Sequence, residues 1–360
     1  MGYYTPHTAQ RSFEAHQLHK LIFALGQCTT HQECNTIKQA ITDTLGRLKA
    51  DGNWRILLEK SKDGYSLLAD ALHSPFQSEG PIRPFDRKKA EWAIAELIQF
   101  AQEGTNDGSI SKREFASLLT SEPKGYTLLQ SATKYGCGRA FSMIADVLQK
   151  LHEENILPRT DYAHQLSHHR GGFTLIHDML RHCDGNVNAY RVVADTIKAA
   201  CKRGILTPQA CIEQFISCST GAYTPLMTAV HSGEHALAGA VLQDLTTILD
   251  NPQLQAQLCA HTDSGLNLFH LATHMTKDGR SPNPFIILML QDALFDHCGN
   301  GQRFNNPEAK NKLLELGYTP SHYGTAAFAK QPDHPLWLKE LLDLRTRPED
   351  PTKNTPLTRA

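Results

Sequence analysis

No Cys-x-x-Cys pair, no long apolar run and no surplus of either charge occur in this 360-residue chain. Lys and Arg number 36 against 37 Asp and Glu, a formal net charge of −1. That balance argues against wholesale attraction to nucleic acid or to an anionic membrane surface. The longest apolar stretch, Phe285 to Leu290, is far too short to cross a bilayer. The N-terminal residues are polar where a secretory signal needs a continuous apolar core. Met1-Gly2 opens like a myristoylation motif, but Pro6 stands where Ser or Thr is wanted. There is no Gly-rich loop of the P-loop or dinucleotide-binding type. The nine cysteines are an odd, scattered set without a framework, several at apolar helical positions. They predict buried free thiols in a reducing compartment, and so a cytoplasmic protein.

What the chain does have is repetition. Gly64-Tyr65-Ser66-Leu67-Leu68-Ala69-Asp70-Ala71 returns as Gly125-Tyr126-Thr127-Leu128-Leu129-Gln130-Ser131-Ala132 and as Gly172-Phe173-Thr174-Leu175-Ile176-His177-Asp178-Met179. Ala222-Tyr223-Thr224-Pro225-Leu226-Met227-Thr228-Ala229 is a fourth copy. Gly265 to Ala272 and Gly317 to Gly324 make six. In each octet the glycine suits a tight turn. The Ser, Thr or Asn two places on is a helix N-cap, and Pro225 and Pro320 take the first helical position, where no N–H is needed. Each octet therefore predicts a turn, a cap and a short inner helix.

An amphipathic outer helix follows, with Ala90 to Ile98, Ala140 to Leu148 and Ala189 to Ile197 in register; Leu237–Leu249, Pro284–Phe295 and Leu336–Leu344 are looser counterparts. A third short helix precedes the octets at Ile110–Leu119, Leu157–Leu166 and Leu206–Phe215, each with a Ser, Thr or Pro start signal. Asn53–Lys60, Pro252–Cys259 and Pro307–Leu316 occupy the same slot.

The pattern resembles the ankyrin repeat, whose signature is Gly-x-Thr-Pro-Leu-His-x-Ala followed by a Gly-His pair and an apolar second helix. The fourth copy matches best, with Thr224-Pro225-Leu226, Gly233-Glu234-His235 and Val241-Leu242; His177 and His270 keep the motif histidine. The departure is length: successive octets start 61, 47, 50, 43 and 52 residues apart, against about 33 in an ankyrin repeat. The expectation is an all-α, ankyrin-like helical solenoid of about six expanded, three-helix repeats. A helical N-terminal cap would span residues 1–50, the solenoid 51–344 and a disordered tail 345–360. In style such oversized repeats resemble those of ankyrin-containing effectors that intracellular bacteria inject into host cells, which would place the chain in the host cytosol. Ser74 to Arg87, carrying Pro75, Pro81, Pro84, Phe76 and Phe85, reads either as a stapled surface loop or as a partner-binding finger.

Three chemistries can be weighed. Glu103 to Glu114 imitates an EF-hand loop at its sixth, eighth and twelfth positions. Its first position is Glu instead of Asp and its third is Thr, and the repeat itself accounts for the stretch. His231/His235 and His270/His274 have a zinc-compatible spacing of four, yet His235 and His270 are explained by the ankyrin motif, and no third ligand is suggested. A Cys–His nucleophilic pair, the alternative reading as a protease- or transferase-like enzyme, would have to meet in space. No metal or cofactor is expected.

The remaining feature is a surface. The ankyrin resemblance implies that the residue between Gly and cap faces a concave groove: Tyr65, Tyr126, Phe173, Tyr223, Leu266 and Tyr318. Seven residues after each cap stand His73, Lys134, Arg181, His231 and His274, with Ala326 in the last copy. Either these rings face the groove beside a basic row, or the third helix covers them. The reading is a non-catalytic, monomeric protein-interaction scaffold that docks an acidic or phosphorylated protein segment, more tightly as pH falls from about 7.5 to 6 if His231 titrates near ~6.5.

Overall fold

Helices begin where the octets place a hydroxyl. The backbone N–H groups of Ala69, Gln130, His177 and Met227 donate to the side chains of Ser66, Thr127, Thr174 and Thr224, which cap α3 (Leu67–His73), α6 (Leu128–Lys134), α9 (Leu175–His182) and α12 (Pro225–His231). The computed structural model describes residues 6–273 apart from 62–63, 77–83, 123–124 and 170–171, together with 283, 286, 287, 289, 290 and 293. The described residues are helical, without a named strand; Lys60 and Ser66 form an isolated bridge.

Before these caps the chain turns through left-handed backbone, with φ of +81° at Gly64, +75° at Gly125 and +80° at Gly172. The fourth octet puts Ala222 there at φ +57°, a conformation that costs an L-residue roughly 1–2 kcal/mol.

The remaining helices fill the slots around the octets. Two long ones, α1 (Pro6–Gln27) and α2 (His31–Ala50), form the N-terminal hairpin. The outer positions hold α4 (Pro84–Asn106), α7 (Gly138–Glu153), α10 (Val187–Lys202) and α13 (His235–Ile248). The third-helix positions hold α5 (Lys112–Leu119), α8 (Arg159–Ser167), α11 (Pro208–Ile216) and α14 (Asn251–Leu258). A short 3-10 helix over Trp54–Leu58 takes the first of those slots, and α15 (Leu268–Thr273) follows the fifth octet. Outer helix α4 starts at Pro84, six residues before the repeated pattern. Proline at a helix start and Asp86 in the first turn favour that extension.

The chain divides into two compact units, Met1–Thr220 and Gly221–Ala360. In the first, α6 packs between α3 and α9, α7 packs between α4 and α10, and each inner helix pairs with its own outer helix. Helix α1 packs on α2, α3 and α4. The face of α7 shows why: Ala140, Phe141, Ile144, Ala145, Leu148 and Leu151 recur at helical spacing and are buried. Each large one contributes roughly 1.5–3 kcal/mol by leaving water. Within the second unit, α12 packs on α13 and α15.

One expectation changes here. Cys28 and Cys34 are joined by a disulfide between the end of α1 and the start of α2, so the thiols are not all free. A six-residue spacing carries no pairing signal by itself; the hairpin turn brings the two together. The aromatics of the proline-rich insert are drawn into packing: Phe76 stacks on Tyr135 at 4.2 Å, and Phe85 lies 4.8 Å from His31. The sixth octet, the segments 276–282 and 294–344 and the tail 345–360 lie outside the described residues.

Candidate partner-binding site

The aromatic and basic positions pair with each other within each helical unit. Lys134 Nζ lies 4.4 Å from the Tyr126 ring centroid, and the Arg181 guanidinium lies 4.7 Å from that of Phe173. Tyr65 and His73 stand 5.4 Å apart, and Tyr223 and His231 6.0 Å apart in the second unit. A seven-residue inner helix is about 10 Å long, and side chains lean toward its N-terminus. A long cationic side chain on its last turn can therefore reach back over the ring that precedes the cap. Such cation–π contacts are worth about 0.5–1 kcal/mol at the surface.

The four rings are half-buried, neither covered nor bare, while Arg181 is exposed. Tyr318 and His274 lie outside the described residues. His73 is built into the packing of α3 on α6: its Nδ1 is 2.8 Å from the Tyr135 hydroxyl and its Nε2 is 3.2 Å from Ser131 Oγ. Burial pushes the Tyr135 phenol up to about 12, with Tyr65 and Tyr126 adding to the shift, so it remains a neutral hydrogen-bonding group. The basic character of the first unit's site therefore rests on Lys134 and Arg181.

Between them the structure adds Asp178, which the octet pattern did not single out. Its carboxyl is buried, and burial pushes it up to about 7 against the pull of Lys134 and Arg181. His182, four residues on in the same helix, goes the other way: burial, then the charges of Arg181, Arg87 and Lys134, lowers it to about 4. The sign for stability follows directly. A carboxyl whose folded value exceeds its unfolded value makes the fold bind the proton more tightly. Stability is then lost as pH rises from about 4 to about 7, and the full cost stands above that window. Asp178→Asn is expected to raise stability at pH 8 by on the order of 2 kcal/mol and to change it little at pH 4. Urea unfolding at the two pH values checks this; equal effects at both would remove the buried-charge account.

The other candidate chemistries meet a different geometry. Glu114 closes a capping box, accepting from Ser111 N at 2.9 Å and Ser111 Oγ at 2.8 Å, and also pairs with Arg55. Glu103 pairs with Lys49 at 2.9 Å. The acids of the calcium-like stretch thus turn to separate partners. His231 ends α12 and His235 begins α13, so their spacing of four spans a turn rather than one helix face. His177 is fully buried, with Nδ1 3.3 Å from the hydroxyl of its own cap, Thr174. Burial pushes Cys183 up to about 11 and Cys211 up to about 12, and raises Cys137 further. A nucleophilic thiol needs the opposite shift. A polar groove of about 620 Å³ in the first unit is lined by Lys60, Ser66, Glu114, Ser117, Thr120 and Glu122, among others.

One further cluster escaped the sequence: Glu122 meets His164 and His168, which stand four apart at the end of α8. Glu122 lies 42 residues from His164, and no periodic pattern links them. Neither a family model, nor a curated protein, nor a solved structure matches this chain.

Proposed function

We propose that the chain is a non-catalytic protein-interaction scaffold, built of ankyrin-like three-helix repeats, that docks an acidic or phosphorylated segment of a partner protein. The observation that carries this reading is the pairing of ring and cation at equivalent positions of successive inner helices, Tyr126 with Lys134 and Phe173 with Arg181. A half-buried ring offers contact area, and the charge beside it offers charge-assisted hydrogen bonds. The packing of α6 between α3 and α9 supports a stacked, ankyrin-like arrangement in the first unit, since it sets those pairs side by side. Burial of Cys137, Cys183 and Cys211 disfavours these three thiols as the nucleophile of the alternative Cys–His enzyme, while Cys218 is exposed. No described helix is long and apolar enough to cross a membrane, which fits a partner met in solution. The style of the expanded repeats makes the chain an effector and a host protein the partner to seek.

The test uses fluorescence anisotropy with arrays of acidic, phosphorylated and neutral peptides. Acidic or phosphorylated members should bind, and Lys134→Gln and Arg181→Gln should each weaken them about tenfold or more. Binding should strengthen from pH 8 to pH 6 as Asp178 takes up its proton and ceases to oppose the ligand's charge. No binding by any acidic peptide, or binding indifferent to the two substitutions, would overturn the reading.

A further inference from the structure

Helix α8 ends in a histidine pair spaced i, i+4, which a helical turn sets on one side. His164 lies on its last turn and His168 follows its final residue. Their rings stand 5.0 Å apart. From the connector after α5, the Glu122 carboxylate reaches His164 Nε2 at 2.6 Å. One ligand atom from each of the three residues lies within 4.8 Å of the others.

An ion pair accounts poorly for this convergence. The side chains of His164 and Glu122 are 50 % and 32 % exposed, and pairs so open to water contribute about 0–1 kcal/mol. That does not explain a second imidazole drawn to the same spot. His168 Nε2 donates to the Gly125 carbonyl at 3.2 Å, which orients the ring and leaves the neutral imidazole's lone pair on Nδ1. A backbone carbonyl in that role is what metal-binding histidines use to fix tautomer and direction.

We propose that Glu122, His164 and His168 form a zinc site. Two imidazole nitrogens and one carboxylate oxygen suit Zn²⁺, whereas Ca²⁺ and Mg²⁺ take oxygen ligands. Zinc ligands about 2.0–2.2 Å from the ion stand roughly 3.3–3.5 Å apart, and small rotations of the exposed Glu122 and His164 and the half-buried His168 close the remaining gap. The bound ion would staple the connector between α5 and α6 to α8. Its fourth position would stay open to water or to a ligand group from a partner. This site stands independently of the aromatic–basic pairs.

Zinc titrated into the full-length chain against a chromophoric chelator should show one tightly held equivalent that calcium and magnesium do not displace. Either Glu122→Gln or His164→Ala should weaken it at least about tenfold, and His164→Ala with His168→Ala should abolish it. Cobalt in place of zinc should give an absorption spectrum without a thiolate charge-transfer band, which separates this site from the cysteines. The exposure of Glu122 and His164 predicts unchanged melting of the metal-free single variants, and Glu122→Gln, which keeps shape, gives the same readout if the alanine variants melt early. Zinc held equally well by the double variant, a thiolate band on cobalt binding, or no tight equivalent at all would overturn the assignment.

Discussion

Gly136→Ala is expected to destabilise the first unit by about 3–5 kcal/mol, and to do so through the joint between two helical units. Gly136 follows the C-cap of α6 at φ +68°. Its N–H donates to Thr133 O at 2.9 Å and that of Cys137 to Ala132 O at 2.8 Å, the two bonds of a Schellman end. A Cβ there would fall 2.1 Å from the backbone carbonyl oxygen of His182, at the end of α9, and 2.9 Å from Arg87 Nε. Arg87 cannot simply withdraw, because its Nε donates to Tyr135 O at 3.0 Å and its guanidinium pairs with Asp184 at 2.6 Å. The substitution therefore adds left-handed strain and also forces two turns apart. Gly108→Ala is the control: its φ of +82° is similar, but open space surrounds it. It should cost only about 1 kcal/mol. Urea midpoints that fall equally in the two variants would show that the contact with His182 contributes nothing.

Lys89→Met is expected to cost about 3–5 kcal/mol, the usual penalty for breaking one side of a buried ion pair. Lys89 is 2 % exposed. Its ammonium donates to Gly26 O at 3.1 Å, Cys28 O at 2.7 Å and Asp86 Oδ1 at 3.0 Å, so all three N–H groups are used. The two carbonyls lie at the C-terminal end of α1, where the helix dipole favours a cation. Methionine keeps most of the volume but leaves Asp86 and both carbonyls in a dry place. Combining Lys89→Met with Asp86→Asn should recover part of the loss, since the remaining carboxylate is the larger liability. Hydrogen exchange should locate the damage in α1 and its contacts with α4. A change below about 1 kcal/mol would mean that water reaches the pair on little provocation.

What could be read ahead of the coordinates was whatever the chain decides locally. Ser66, Thr127, Thr174 and Thr224 mark helix starts because a hydroxyl two or three residues from an unsatisfied N–H suffices. The helices at 112–119, 159–167, 208–216 and 251–258 follow from similar start signals and a few apolar spacings. The pairing of Lys134 with Tyr126 is also local, since one short helix sets the reach. By contrast, the partner that removes His73 from the basic row is Tyr135, 62 residues on. Asp178 gains its character from burial beside Lys134 on a neighbouring helix. The meeting of Glu122 with α8, and the Cys28–Cys34 bond, likewise depend on which surfaces pack together. Periodicity says which face is apolar but not which residue of another segment will lie against it.

The rings beneath Lys134 and Arg181 also bear on the entropy of recognition. A lysine or arginine free in solvent surrenders roughly 2 kcal/mol of rotamer freedom when a ligand fixes it. Here Tyr126 and Phe173 already hold both cationic heads. Part of that ordering is completed during folding, so an arriving carboxylate or phosphate finds its counter-charges preorganised. Tyr126→Leu should then preserve charge and much of the apolar surface while letting Lys134 wander, separating the contribution of stillness from that of attraction.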